Sequence, residues 1–203
     1  MGGMNTTVQF VADIPCVWSY FGYTRLRRVL ARFRAQGGRA DVVFRPYQLD
    51  PDATVAGEPK MEVLRRAFGQ DAASAVAAIT AKAETEGLRL RHDKAVYSNT
   101  FEAHRIIAVA ARQGLGEEMA ERLFRAHHTD ELNVADVDTL KGLAAETGVR
   151  WSDEGADELR AELDRVRRSG VRGVPVFQFP GRPPLTGAQS EQALQAALAA
   201  YLP

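Results

Sequence analysis

The chain of 203 residues, 45% hydrophobic and 26% charged, is long enough for one large domain or one domain with a sizeable insertion. Lys+Arg and Asp+Glu balance at 26 each, which argues against a general nucleic-acid binder and against a charge-driven role on a membrane surface. No run approaches the ~20 apolar residues of a transmembrane helix. The start Met1-Gly2-Gly3-Met4-Asn5 has neither the basic nor the apolar region of a signal peptide. A single cysteine cannot form an internal disulfide and fits a reducing, cytoplasmic setting.

In chain order, Val8 to Val11 reads as a short strand, interrupted by Asp13-Ile14-Pro15. Leu26, Val29, Leu30 and Phe33 then recur at helical spacing, with Arg25, Arg28 and Arg32 on another face, read as solvated. Gly37-Gly38 ends that helix, and Asp41 to Leu49 forms a second strand in which Pro46 marks an edge or an end. Strand, helix, strand predicts a right-handed parallel βαβ unit. From Glu58 to Gly170 the pattern is helical, punctuated by Gly69, Gly87, Gly114, Gly116 and Gly148. Asp71, Ser98-Asn99-Thr100, Asp136 and Ser152-Asp153 are the expected caps. Strand signals return at Val174 to Phe179, turn at Gly181 and Pro183-Pro184, and pair back near Leu185 and Thr186. Ser190 to Leu202 closes the chain as an amphipathic helix. The order predicts one small mixed sheet built from both ends, residues 1–57 and 171–203, with 58–170 as an inserted helical domain.

Cys16 falls where the first strand hands over to the first helix. The unpaired amides of a helix N-terminus favour a thiolate there, so a lowered pKa and a nucleophilic sulfur are expected. A small buried hydrophobe is the commonest fate of a free cysteine, and position alone leaves the two readings even. Gly173-Val174-Pro175, just before a strand, is a place for a cis proline, although a trans proline opening an edge strand is commoner.

Cys16-Val17-Trp18-Ser19 and Gly173-Val174-Pro175, with a helical insertion between them, resemble the DsbA-like thioredoxin-fold family. Ser98-Asn99-Thr100-Phe101-Glu102-Ala103-His104-Arg105 and Leu185-Thr186-Gly187-Ala188-Gln189 extend the resemblance over nearly the whole chain. The branch it looks like is the FrnE group, which is related to the 2-hydroxychromene-2-carboxylate isomerases and kappa-class glutathione transferases. The resemblance implies an α/β thioredoxin fold with a large helical insertion. It also implies a thiol–disulfide oxidoreductase working on small thiols or on protein or peptide disulfides, as a monomer or homodimer.

The family's oxidoreductases usually show Cys-Pro-Trp-Cys, and this chain has Ser19 in place of the second cysteine. A serine cannot resolve a mixed disulfide, but its hydroxyl can hydrogen-bond a thiolate. A monothiol mechanism through Cys16 is therefore expected, with no bound cofactor and with glutathione or another small thiol as co-substrate. Pro175, if cis, would sit beside Cys16 and expose the Val174 backbone to an extended thiol peptide. Trp18 would wall the site or pack half-buried. Gln189, at the start of the last helix, would receive a carboxylate or serve only as part of a cap. His104 shares the apolar side of its helix, and the resemblance turns Asn99 and His104 toward the cleft. His127-His128, followed by Asp130 and Glu131, reads as a solvated helix end and not as a metal site. Two further readings stay open: a glutathione-dependent isomerase or transferase, and a thioredoxin-fold binding module without catalysis.

Overall fold

The computed structural model describes residues 5–202; Met1 to Met4, read above for a targeting segment, lie outside them. The chain divides into two compact units, Met1–Leu49 with Gly155–Pro203, and Asp50–Glu154.

In the first unit, β1 (Asn5–Ala12) leads into α1 (Val17–Ala35) and β2 (Arg39–Pro46). β1 pairs with β2 in parallel, from Asn5 opposite Arg39 to Ala12 opposite Pro46. The chain returns with α7 (Ala156–Arg168), β5 (Val176–Gln178), β6 (Leu185–Thr186) and α8 (Glu191–Leu198). β5 runs antiparallel to β1, placing Phe177 opposite Phe10, and β6 pairs back on β5. The sheet order is β2-β1-β5-β6, so Pro46 ends an edge strand, where a missing N–H is tolerated. β1 is central, and Val8, Phe10, Val11 and Ala12 are buried. Phe10 lies 5.0 Å from Phe177 and 5.6 Å from Tyr23 between ring centroids, which fixes α1 against the sheet.

The sequence reading ended the insertion at residue 170; the structure ends it at Glu154 and assigns α7 to the sheet-bearing unit. The physical reason is the apolar stripe Leu159, Leu163 and Val166, all buried. Val166 packs with Val11 and Val176, and Glu162 pairs with Arg45 of β2 at 2.7 Å. The other boundary falls after Leu49 instead of residue 57.

The arginine face of α1 is not simply solvated. Arg25 donates to the carbonyls of Ala188 and Gln189 at 3.2 and 3.0 Å, and Arg28 and Arg32 hold Glu191 at 3.2 and 2.6 Å. The first turn of α8 is thus clamped to α1. Gly22 permits a second close approach in this unit. A Cβ there would lie 3.0 Å from Phe177 and 3.2 Å from Pro175. Gly22→Val is expected to lower unfolding free energy by about 2 kcal/mol or more through overpacking, measured by urea denaturation; an unchanged midpoint would show that the ring and the proline loop move aside freely.

The second unit holds α2 (Lys60–Phe68), α3 (Ala72–Thr85), α4 (Phe101–Ala111), α5 (Gly116–His128) and α6 (Val137–Glu146). It also contains a two-stranded ladder, β3 (Glu58–Pro59) with β4 (Val96–Tyr97), inside the stretch read as almost wholly helical. Asp136 caps α6 by accepting from the Thr139 amide at 2.8 Å. The histidine pair at the end of α5 is not a solvated end: His127 and His128 are 1% and 0% exposed. They continue the buried positions Leu123 and Phe124 by one turn each, and the Phe124 and His128 rings stack at 6.5 Å.

Candidate active site

β1 runs out at Ala12, and the chain turns through Asp13-Ile14-Pro15 into α1. The Cys16 amide donates to the Asp13 carbonyl at 3.2 Å, and the Cys16 carbonyl receives the Tyr20 amide, so Cys16 stands as the N-cap of α1. The Val174–Pro175 peptide bond is cis. It precedes β5, and the Pro175 carbonyl takes the Gly187 amide at 2.8 Å, which ties this loop to the β6–α8 connection. The Cys16 thiol donates to the Val174 carbonyl at 3.6 Å. Sequence separation of 158 residues is thereby closed to one S–H···O contact.

The sulfur is largely buried, 8% exposed. Burial pushes the Cys16 thiol up from its ordinary value, and the Asp13 carboxylate adds a small push in the same direction. Ser19 and the backbone N–H groups of Ser19 and Trp18 pull it down without overcoming burial. The expectation of a lowered pKa is therefore corrected: the helix terminus is present, but desolvation of the charged form outweighs it here. Ser19 is fully buried, and its Oγ meets hydrogen-bond geometry with no partner among the described residues. It stands close enough to Cys16 to favour the ionised sulfur, so its bond belongs to the thiolate.

Trp18 is 41% exposed, with its ring 5.6 Å from Phe21. It is exposed on the first turn of α1, next in sequence to the buried Ser19. Gln189 directs its amide to the Thr186 carbonyl at 2.5 Å, and Ser190 caps α8 by accepting from the Ala193 amide at 3.2 Å. Ser190 thus caps α8, while the Gln189 side chain ties the helix start back to β6. Asn99 and His104 belong to the other unit. The Asn99 side chain accepts from the Phe101 amide at 2.8 Å and donates to the Pro51 carbonyl at 2.9 Å, bracing the entry to α4. His104 is buried on α4.

Sequence reasoning passed over Asp13. It is 1% exposed, and its carboxylate accepts from the amides of Ile14 and Leu49 at 2.9 and 2.7 Å, fastening the end of β1 to the segment after β2. An acid three residues before the cysteine was the available signal. Among the described residues no group of three His, Cys, Asp or Glu side chains is placed to hold a metal, and no helix is long and apolar enough to cross a membrane.

A thiol at a helix N-terminus, facing the carbonyl before a cis proline on a four-stranded mixed sheet, is the arrangement that decides the family. Residues 7–199 match the DSBA-like thioredoxin domain. The chain belongs to that family. Within the DSBA-like thioredoxin fold, the helical unit is the insertion between β2 and α7. Among solved structures the chain is similar to a probable DsbA oxidoreductase from Streptomyces coelicolor, with 28% identity and a TM-score of 0.85, covering 97% of this chain and 90% of that one. The cytosolic disulfide reductase DsbM from Pseudomonas aeruginosa is similar in fold at 23% identity and a TM-score of 0.61, covering 96% and 97%. A 2-hydroxychromene-2-carboxylate isomerase shares the fold at 13% identity and a TM-score of 0.70, covering 96% and 95%. A comparison with curated proteins finds no match.

Proposed function

We propose that the protein is a thiol–disulfide oxidoreductase of the DsbA/FrnE type that works by a monothiol mechanism through Cys16. The observation that supports this most is the sulfur itself, held at the N-cap of α1 and 3.6 Å from the carbonyl before cis-Pro175, with a serine and no second thiol at position 19. The Cys16 thiolate attacks a disulfide R–S–S–R′, forming Cys16–S–S–R and releasing R′–S⁻, which takes up the proton lost by Cys16. An external small thiol G–SH then attacks the mixed disulfide, giving R–S–S–G and returning the Cys16 thiol. The site shuttles disulfide bonds and stores none internally.

Burial disfavours the Cys16 thiolate, whereas a strong oxidant needs a stabilised one. The same burial makes Cys16 a poor leaving group, so attack of the small thiol on the mixed disulfide is the slow step of the cycle. A reducing, cytoplasmic setting with glutathione or a similar small thiol in excess drives that step, and a reductase described as cytosolic shares the fold.

The test is the pH dependence of Cys16 alkylation, followed by mass spectrometry with and without glutathione disulfide. The rate should still be rising above the free-thiol value of about 8.5, and a glutathione adduct should form on Cys16, faster at pH 9 than at pH 7. No adduct at either pH overturns the mechanism. Turnover of an electrophilic aromatic substrate by glutathione with no disulfide present would assign the isomerase or transferase reading instead.

A further inference from the structure

A cleft of about 520 Å³ opens beside the Val174–Pro175 bond and is lined by the loop that leads into it, by Gln178 and by Thr186 and Gly187. A second cavity of about 370 Å³ shares Gln178 and Pro184 with the first and reaches Arg182, so the two are neighbours along β5 and β6. Each contains one arginine, and neither is lined by an aspartate or glutamate. Arg172 is exposed in the first and makes no hydrogen bond or ion pair with a described residue. That contrasts with Arg25, Arg28, Arg32 and Arg45 of the same unit, which are all engaged. Glycines 170, 173 and 187 contribute bare backbone to the wall of the first cleft.

The chemistry of this cleft is specific. An unpaired guanidinium with no competing carboxylate selects an anion, and a planar fork of donors matches a carboxylate. Val174 lines the cleft and its carbonyl receives the Cys16 thiol, so a ligand in the cleft lies against the residue that holds the reactive sulfur. We propose that the cleft selects its thiol by charge: Arg172 receives a carboxylate of a small anionic peptide thiol whose sulfur meets Cys16. This deepens the monothiol reading and rests on it for the role of the sulfur. It assigns the substrate class and a specificity-determining residue.

The test separates binding from chemistry. S-Methylglutathione, which cannot react, is titrated calorimetrically into wild type and Arg172→Gln, and its neutral-carboxyl diester is titrated in parallel. Arg172→Gln should bind the dicarboxylate ligand about five- to tenfold more weakly and leave the diester unchanged; Arg172→Lys should recover part of the loss. In the covalent arm, Arg172→Gln should slow formation of the Cys16–glutathione mixed disulfide from glutathione disulfide, with one glutathione thiolate released per adduct. The neutral hydroxyethyl disulfide should react unchanged. Equal affinity in wild type and Arg172→Gln, an equal loss for both ligands, or no binding by wild type overturns the assignment. Arg172-dependent binding together with an inert Cys16 supports the cleft and removes the monothiol reaction, so the two readings fail separately.

Discussion

Ser19→Cys is expected to turn a sulfur that needs an outside thiol into half of a self-resolving pair. Position 19 is one helical turn after Cys16, at the start of α1. Residues three apart on a helix are neighbours, and the Cα separation across one turn lies in the range of about 4.4–6.8 Å that a disulfide spans. Ser19 is fully buried and its hydroxyl has no geometric partner among the described residues, so replacing it breaks no hydrogen bond in the free protein. The new sulfur would attack the Cys16 mixed disulfide from within, forming an intramolecular disulfide and expelling the substrate thiol. Resolution becomes unimolecular, and insulin reduction driven by a dithiol should rise by at least about a hundredfold over the native chain. The double variant Ser19→Cys with Cys16→Ser should lose the whole gain, because the remaining sulfur has no partner. Thiol counting should show that Ser19→Cys oxidises with loss of both free thiols. Oxidation without insulin reduction would mean that the cleft excludes protein disulfides and admits only small ones. Reduction that persists in the double variant would remove Cys16 from the mechanism.

Much of the sheet-bearing unit was legible because its periods are clean. Leu26, Val29, Leu30 and Phe33 mark α1, and all four are buried. The paired strands at Val176 and Leu185 are bounded by proline and glycine, as the register confirms. What the sequence concealed was partnership. The stripe on α7 reads as helix from either side of a domain boundary, and only its packing on Val11 and Val176 places it with the sheet. β3 and β4 have two residues each, too few to carry a period of two. At the site, Cys16 and the Val174–Pro175 pair could be named from their flanking strands, but the balance at the sulfur could not. The N-terminal position of a helix is a local property, visible in sequence. Desolvation by the whole fold is not, and it reverses the expected direction at Cys16. Arg172 was invisible for the same reason: an arginine matters here for the carboxylates it does not meet.

Burial of charge also governs the largest stability effect expected in the molecule, at Lys60. This lysine opens α2 directly after Pro59, 5% exposed, with its Nζ 3.4 Å from His128 Nδ1 and no carboxylate within ion-pairing distance among the described residues. A cation at a helix N-terminus also opposes the helix dipole. Burial lowers the Lys60 pKa to about 8, against a weaker opposing pull from Glu131. The unfolded chain therefore binds a proton between about pH 8 and its ordinary value near 10.4 that the folded chain does not. Stability rises with pH through that window and is depressed below it by about 3 kcal/mol. Lys60→Met removes the group, keeps most of the volume, and is expected to stabilise the protein by about 1–3 kcal/mol at pH 7, the His128 contact being lost in return. Urea denaturation from pH 6 to 10 should show the rise in wild type and a flatter profile in the variant. The acid side has a second contributor. His127 is fully enclosed, neither ring nitrogen has a partner among the described residues, and burial, then Lys60, then His92 drive its pKa well below the ordinary value. It folds neutral, so as pH falls below about 6.5 the unfolded chain gains a proton that the folded chain refuses, and stability falls. Removing Lys60 should ease that acid sensitivity in part. A Lys60→Met protein that is less stable than wild type at pH 7 would show instead that the ammonium is held charged by its surroundings, and that this buried cation is an asset of the helical unit.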